Sequence, residues 1–496
     1  MTAMDDYEVY SENVGARVVI TKEKGEYVPT YSLSVQKISG PTEAYLEDVK
    51  NELLKKVAIG TRELTDVKAF EGLKESVKKS AIELLKAELP KESDEEHAFM
   101  ASRIVQQMLG MGDVEFLISD DWLEEICVNR ATEPVWVYHK KYGWLKTNVF
   151  LGDESQVRNY ASAIGRKVGR QITMQSPLLD ANMVTGDRVN ATLSPVSMLG
   201  NTITIRKFAR KPWTITDMLK TKTMNHETAA FLWLAMQYEM NILIAGGTGS
   251  GKTSFLNVLS TFIPANQRLI SIEQTHEIQP PKHLQWVPLV VRENLGSEGK
   301  GEVSMLDLMI NALRMRPDRI IVGEVRRAEE AEVLFEAMHT GHSVYATLHA
   351  ETARETMKRL TNPPIEIPPV VLGALHLIVV MYRDRKAGVR RMFELVEVMP
   401  GEDRAPITRT LYRWKPYRDQ IVAEENSARV IDNLMTFTRM DEKEINASLG
   451  EKEEILRWLE KNNVNTVDEV GRVVSDYYAD PEALLARVRK GRRGEA

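Results

Sequence analysis

The chain has 496 residues, too many for one compact core and enough for two to four domains with cores of their own. Hydrophobic residues make up 43% and charged residues 27%, which excludes a disordered or fibrous class, and the net charge of −6 gives no nucleic-acid footprint. The single cysteine, Cys127, excludes an intramolecular disulfide and a multi-cysteine zinc ribbon and fits a reducing, cytoplasmic location.

The opening Met-Thr-Ala-Met-Asp-Asp is acidic and lacks the apolar core of a signal peptide. Residues 1–100 hold 20 acidic against 14 basic side chains and carry the whole negative excess. They read as a short β-prone lead-in (Arg17 to Ile20, Tyr27 to Val35), then a mainly helical docking region. Tyr45, Leu46, Val49 and Leu53 share one helical face after Pro41, and Val77, Ala81, Leu84 and Leu85 share another before Pro90. The Glu and Lys between them read as solvated faces, with a dedicated docking surface as the alternative, and Lys91 to Glu96 marks an expected joint.

Residues 101–210 read as an α+β module. Ala101 to Gly110 is helical, Trp122 to Val128 and Pro134 to His139 are strands, a helix contains Val157 to Val168, and Arg188 to Leu193 and Thr202 to Phe208 are strands with β-branched alternation. A linker follows over 211–222. Residues 223–425 alternate apolar strands with helical stretches: Asn241 to Ala245, Arg268 to Glu273, Arg319 to Glu324, Ser343 to Leu348 and His376 to Met381. Such alternation predicts a parallel sheet covered on both faces, with ligand chemistry at the carboxyl ends of its strands. The longest uncharged apolar run, Val370 to Met381, is too short to span a bilayer. Residues 426–496 are helical: Thr466 with Glu469 forms a capping box, Asp480-Pro481 starts the last helix, and Lys490 to Ala496 is expected to fray.

The chemistry is concentrated in 223–425. Gly246-Gly247-Thr248-Gly249-Ser250-Gly251-Lys252-Thr253 satisfies the pattern G-x-x-x-x-G-K-[ST] between a strand and a helix, which separates it from an ordinary glycine-rich turn. Backbone N–H groups of such a loop turn around a phosphate, Lys252 reaches the β and γ oxygens, and the Thr253 hydroxyl ligates Mg²⁺. Arg319 to Glu324 is an apolar strand ending in an acid that can hold Mg²⁺ or polarise water, and by itself it is weak evidence. Glu273 and Glu277 end another strand as candidate bases or metal contacts, with loop capping as the alternative. His339, His342 and His349 invite a zinc reading, but His342 and His349 bracket a strand roughly 20 Å long. Arg188, Arg206 and Arg210 in the middle module, and Arg314, Arg316, Arg326 and Arg327 near Glu324, could meet transferring phosphate charge.

These motifs, in this order, resemble the type II/type IV secretion ATPase superfamily and its archaeal branch, the GspE-like and archaellum- or pilus-motor ATPases. The Walker A loop matches Gly246 to Thr253, the acidic box Ile270 to Glu277, the Walker B Arg316 to Arg326, and the His box Thr340 to His349. Ile126 to Asn129, Gly186 to Asn190 and Thr204 to Lys207 resemble the family's second N-terminal domain. Gln274 departs from the usual aspartate of the acidic box, and the tetracysteine motif of many bacterial members is absent.

The resemblance implies a RecA-like P-loop NTPase core preceded by the α+β module and the charged helical region. It implies a homo-hexameric ring that binds ATP and Mg²⁺ between its domains, with Glu273 and Glu324 as catalytic acids and the ion held through the nucleotide, Thr253 and Glu324. His342 and His349 would sense phosphate, and Arg188, Arg206 or Arg210 would approach the nucleotide. Hydrolysis would drive secretion or pilin-like filament assembly through a polytopic membrane platform protein, with the motor cytoplasmic, peripheral to the membrane, without a span of its own and without a specific nucleic acid. A DNA-translocating or conjugation ATPase, and a ring scaffold stabilised by nucleotide, are the alternatives.

Overall fold

The computed structural model describes residues 2–12, 14–23, 25–35, 40–56, 67–183, 186–208, 211–292, 301–401 and 406–493. The chain divides into two compact units, Met1–Arg210 and Lys211–Ala496.

Among the described residues of the first unit nine strands make one sheet: β1 (Thr2–Ser11), β2 (Val14–Lys22), β3 (Thr30–Val35), β4 (Leu123–Val128), β5 (Trp136–His139), β6 (Gly143–Thr147), β7 (Leu178–Asn182), β8 (Arg188–Thr192) and β9 (Thr202–Arg206). Their order is β1-β2-β3-β6-β5-β4-β9-β8-β7, antiparallel except where β3 lies beside β6. β2 shows why a strand forms there: Val14, Ala16, Val18 and Ile20 alternate into the core while Arg17 points out. The Tyr7 and Tyr31 hydroxyls both donate to Asp120 Oδ2, at 2.7 and 2.8 Å, and burial beside that carboxylate pushes both phenols far up. These bonds tie the first 35 residues to the segment entering β4. The domain boundary expected near residue 100 is therefore absent, because the lead-in strands complete the module's own sheet.

The charged helices Gly40–Lys56, Val67–Glu88 and Asp94–Leu109 close on one another through Leu46, Val49, Leu53, Ala81, Leu85, Met100 and Ile104. The expected joint at Lys91 to Glu96 is instead a helix start, since Ser93 and Glu96 form a reciprocal capping box.

The second unit is built on β10 (Ile242–Gly246), β11 (Arg268–Glu273), β12 (Gln285–Val290), β13 (Arg319–Val322), β14 (Ser343–Leu348), β15 (Leu377–Asp384), β16 (Val389–Met399), β17 (Ile407–Lys415) and β18 (Gln420–Ala423). The order is β12-β11-β13-β14-β10-β15-β16-β17-β18, with the first six strands parallel and the last three added antiparallel. Both faces are covered, as the continuous apolar runs require. Ile242 and Ile244 of β10 enter one core, and Leu243 and Ala245 enter the other. Burying each such Ile or Leu contributes about 1.5–3 kcal/mol.

The helices Arg429–Thr438, Glu442–Lys461, Val467–Ala479 and Pro481–Arg493 belong to this unit, burying Ile455, Leu456, Val470, Val474, Leu484 and Val488 in the core that receives Ile242. Thr466 caps its helix through the Glu469 amide, and the last helix runs to Arg493 where fraying was expected from Lys490. At the start of the unit, helix Ile215–Lys220 leads to Thr223, whose carbonyl accepts the Met392 amide of β16 at 2.7 Å. Arg391 beside it pairs with Asp419 through two bonds, holding that carboxyl down at about 2, and donates to the Thr221 carbonyl at 3.0 Å.

Lys452 is fully buried in the helical segment, donating to Ser448 Oγ at 2.7 Å and lying 4.7 Å from the Tyr477 ring centroid and 5.7 Å from that of Trp233. Burial pushes its ammonium from 10.5 down to about 7, against a smaller opposing pull from Glu451. Between those values the unfolded chain holds a proton that the folded chain has released, so this group's contribution to stability rises with pH across that window. Lys452→Met is expected to be more stable than the parent at pH 7 and to lose that advantage by about pH 10. Unfolding followed at both pH values checks the sign.

Candidate active site

β10 reaches the loop with all its residues buried, flanked by β14 and β15. A Cβ on Gly246 would stand 2.5 Å from both the Met381 carbonyl oxygen and Ser250 Oγ, so glycine is required there on space alone. Gly249 and Gly251 have φ of +70° and +94°, the left-handed region that lets the loop reverse into helix Lys252–Ser260. That helix begins without a side-chain cap, which leaves its first N–H groups directed at the loop. Lys252 is buried, and its Nζ donates to the carbonyls of Gly246 and Gly247 at 2.9 and 3.1 Å. Ser250 Oγ donates to the Gly247 carbonyl at 2.9 Å, and Thr253 occupies the second helical position.

Glu324 follows β13, one strand beyond β14 from the loop strand. Its carboxylate lies between an imidazole and a guanidinium: Oε1 is 3.1 Å from His349 Nε2, and Oε2 accepts from Arg326 Nε at 2.9 Å. Burial and the nearby Lys252 ammonium hold the His349 ring below its ordinary value, outweighing the pull of Glu324, so the imidazole is neutral at pH 7. The parallel sheet thus brings Lys252, His349 and Glu324 to one edge, from β10, β14 and β13. Arg326 Nη1 donates to Gln274 Oε1 at 2.8 Å, which gives the residue departing from the acidic box a contact with the Walker B segment.

Glu273, expected as a second catalytic acid, is 2% exposed and already committed. Its Oε1 accepts the amides of Glu277 and Ile278 at 2.9 and 3.0 Å, and Oε2 lies 3.3 Å from His276 Nδ1. Hydrogen bonding to that carboxylate raises the His276 pKa. The geometry makes Glu273 the support of its own loop, while Glu277 remains partly exposed.

His342, expected to sense phosphate, lies at the opposite end of β14 from His349, with Nδ1 3.1 Å from Thr340 Oγ1 and 3.2 Å from the Ala337 carbonyl. Six residues of strand separate it from the loop edge, and among the described residues no group of His, Cys, Asp and Glu is gathered to hold a metal by itself. Arg314 and Arg316 precede β13 and so lie at its other end from Glu324, and Arg327 stands at the N-terminus of helix Ala328–His339, where its backbone amide donates to Glu330 Oε2 at 3.2 Å. In the first unit Arg188 and Arg206 are cross-strand partners, and Arg188 makes a two-bond pair with Asp180 at 3.0 and 2.7 Å. Arg210 lies outside the described residues.

Two residues at the loop escaped the sequence reading. Arg383 and Arg390, from the β15–β16 hairpin, both stand against Gly249. They belong to no local motif, and only the register of β15 beside β10, Gly246 opposite Met381, brings them there.

The family model described as "Type II/IV secretion system protein" matches residues 109–381, more than half of the chain. An uncharacterized protein of Methanocaldococcus jannaschii, MJ0900, is 33% identical over 395 residues, which are 78% of this chain and 69% of that one. The type IV secretion system protein PtlH of Bordetella pertussis is 32% identical over 303 residues, 54% of this chain and 88% of PtlH. Among solved structures, the VirB11 ATPase from the Brucella suis type IV secretion system is 26% identical with a TM-score of 0.30, the match covering 56% of this chain and 90% of that one. No helix among the described residues is long and apolar enough to cross a membrane.

Glu273→Ala leaves the amides of Glu277 and Ile278 without their acceptor, and a loss of about 2–4 kcal/mol in stability is expected. Chemical unfolding of the variant beside the parent measures it.

Proposed function

Because the chain belongs to the type II/IV secretion system protein family, we propose that it is an ATP hydrolase that works as a motor for protein secretion or for assembly of a pilus-like filament. The observation that carries the hydrolase reading is the convergence of Lys252, at the head of a helix, with Glu324 and His349 at the same sheet edge. The loop amides and Lys252 bind the phosphate chain. Glu324 orients and polarises the attacking water, His349 holds one carboxylate oxygen, and Arg326 holds the other. The Thr253 hydroxyl and the Glu324 carboxylate are hard oxygen donors of the kind Mg²⁺ prefers, and together with the nucleotide they would hold an ion that neutralises charge on the β and γ oxygens.

The motor part of the reading rests on family membership. A homo-hexamer at the cytoplasmic face of the membrane, attached through a polytopic platform protein, is the assembly proposed. Arginines of the first unit, Arg188 and Arg206 among the described ones, are the proposed contributors to phosphate charge. Arg188 is paired with Asp180, and Arg206 is the more exposed of the two.

Lys252→Ala is expected to abolish ATP binding, and Glu324→Gln to keep binding within about twofold while lowering turnover by at least ~100-fold. Turnover of the parent with anionic phospholipid vesicles or with duplex DNA separates the alternatives. Stimulation by vesicles alone supports the membrane motor, stimulation by DNA alone replaces it with a translocase, and absence of turnover under all conditions leaves the scaffold.

A further inference from the structure

The β15–β16 hairpin carries Arg383 and Arg390 as directly opposed residues of an antiparallel pair. Two guanidinium groups in that relation repel one another, so an arrangement that keeps them together calls for acceptors in front of them. The phosphate loop supplies one. Arg390 Nε donates to the Gly249 carbonyl at 3.0 Å, and Arg383 Nη1 is 2.7 Å from the point where a Cβ on Gly249 would stand. On the other side of the loop, Arg390 Cδ is 3.4 Å from a Cβ position on Gly251.

The bond to Gly249 does more than fill space. A trans peptide is planar, with its C=O and the following N–H pointing in opposite directions. Drawing the Gly249 carbonyl outward toward Arg390 therefore turns the Ser250 N–H inward. That N–H reaches the Gly247 carbonyl at 3.3 Å, a long bond to an oxygen that already accepts Ser250 Oγ at 2.9 Å and Lys252 Nζ at 3.1 Å. So long a bond to so crowded an acceptor is readily exchanged for one to a phosphate oxygen.

The hairpin is stiff enough to hold this orientation. Asp384 Oδ1 accepts the amides of Lys386 and Ala387 at 2.8 and 3.0 Å across the turn, and β16 is fastened next to Arg390 by Arg391 on Asp419 and by Met392 on Thr223.

We propose that Arg390 is a positioning residue for nucleotide binding: it fixes the Gly249–Ser250 peptide so that the Ser250 N–H faces the bound phosphate, with Arg383 holding the loop against the hairpin. The inference rests on the nucleotide-site reading above. Orientation of a loop amide serves the ground state and the transition state alike, so its loss raises KM and leaves kcat nearly unchanged.

The test is equilibrium binding of a fluorescent ADP and steady-state ATP hydrolysis for Arg390→Met, Arg390→Lys, Arg383→Met and Arg385→Met. Arg385, exposed at the turn, removes a charge of the same sign without touching the loop. Arg390→Met is expected to raise Kd and KM about tenfold with kcat within about twofold. Arg390→Lys is expected to recover less than half of that loss, since a lysine lacks the Nε donor, and Arg385→Met is expected to match the parent. Parental Kd in Arg390→Met, a kcat loss at constant KM, or an equal effect from Arg385→Met overturns the positioning role. If Lys252→Ala abolishes ADP binding while Arg390→Met does not, only this inference fails. If the parent itself binds no nucleotide, the site reading fails and takes the inference with it.

Discussion

Parallel pairing of β10 with β14 and of β14 with β13 is the constraint from which the candidate site follows. Ala245 stands opposite Leu348, and Val322 opposite Ala346, so the chain leaves all three strands at the same sheet edge, their ends staggered by about three residues. Lys252, His349 and Glu324 gather there because each lies one to six residues past such an exit. A one-residue slip of β14 would exchange its side chains between the two cores, setting Tyr345 where Val344 and Ala346 now pack. The order of motifs along the chain is thereby converted into proximity without any side chain having to reach far.

The opposite edge of the same sheet is held by buried polar groups rather than by apolar contact. Arg319 is fully buried, bonded to Gln267, Ser343 and Tyr345. Asn241 Oδ1 accepts the Val344 amide at 2.8 Å, and its own amide donates to His376 Nδ1 at 3.0 Å. That last bond needs a neutral ring, and burial near Arg429 holds His376 down at about 3. These bonds fix where β13, β14 and β10 begin, and so where they end. Such a network discriminates between registers more sharply than Val and Ile can, since a shifted strand would leave a buried donor without its acceptor.

Much of this was legible before any coordinates. The phosphate loop and five of the six parallel strands announce themselves through short uninterrupted apolar runs between loops, a pattern that depends only on nearest neighbours, whereas β12, with no residue buried, does not. β1 does not, because Asp5, Asp6 and Glu8 lie in it and only Val9 and Ser11 are buried at its end; its stability comes from pairing with β2 across nine positions. β16 was hidden for a related reason. Glu394 and Glu397 are buried in it, and acids inside a strand argue against one until their partners are known: Arg413 and the Ala353 amide for Glu394, and Ser427 with the amides of Ala428 and Val430 for Glu397. Residues as much as 41 positions away in the chain supply those partners. The arginines at Gly249 were invisible for the same reason, while His342 and Glu273 illustrate the reverse: motif residues whose positions were plain but whose hydrogen bonds are spent elsewhere.

The manner in which the chain enters the second unit has a mechanical consequence. Tension arriving through residue 214 meets two anchors in succession, the Thr216 hydroxyl on the Val464 carbonyl and then the Thr223 carbonyl on the Met392 amide. The first ties the incoming helix to the C-terminal helices. The second ties it to β16, two residues from Arg390. The entering segment is thus fastened at two points, to the helical end of the unit and to the strand whose Arg390 bonds the Gly249 carbonyl, so a pull on it would load both.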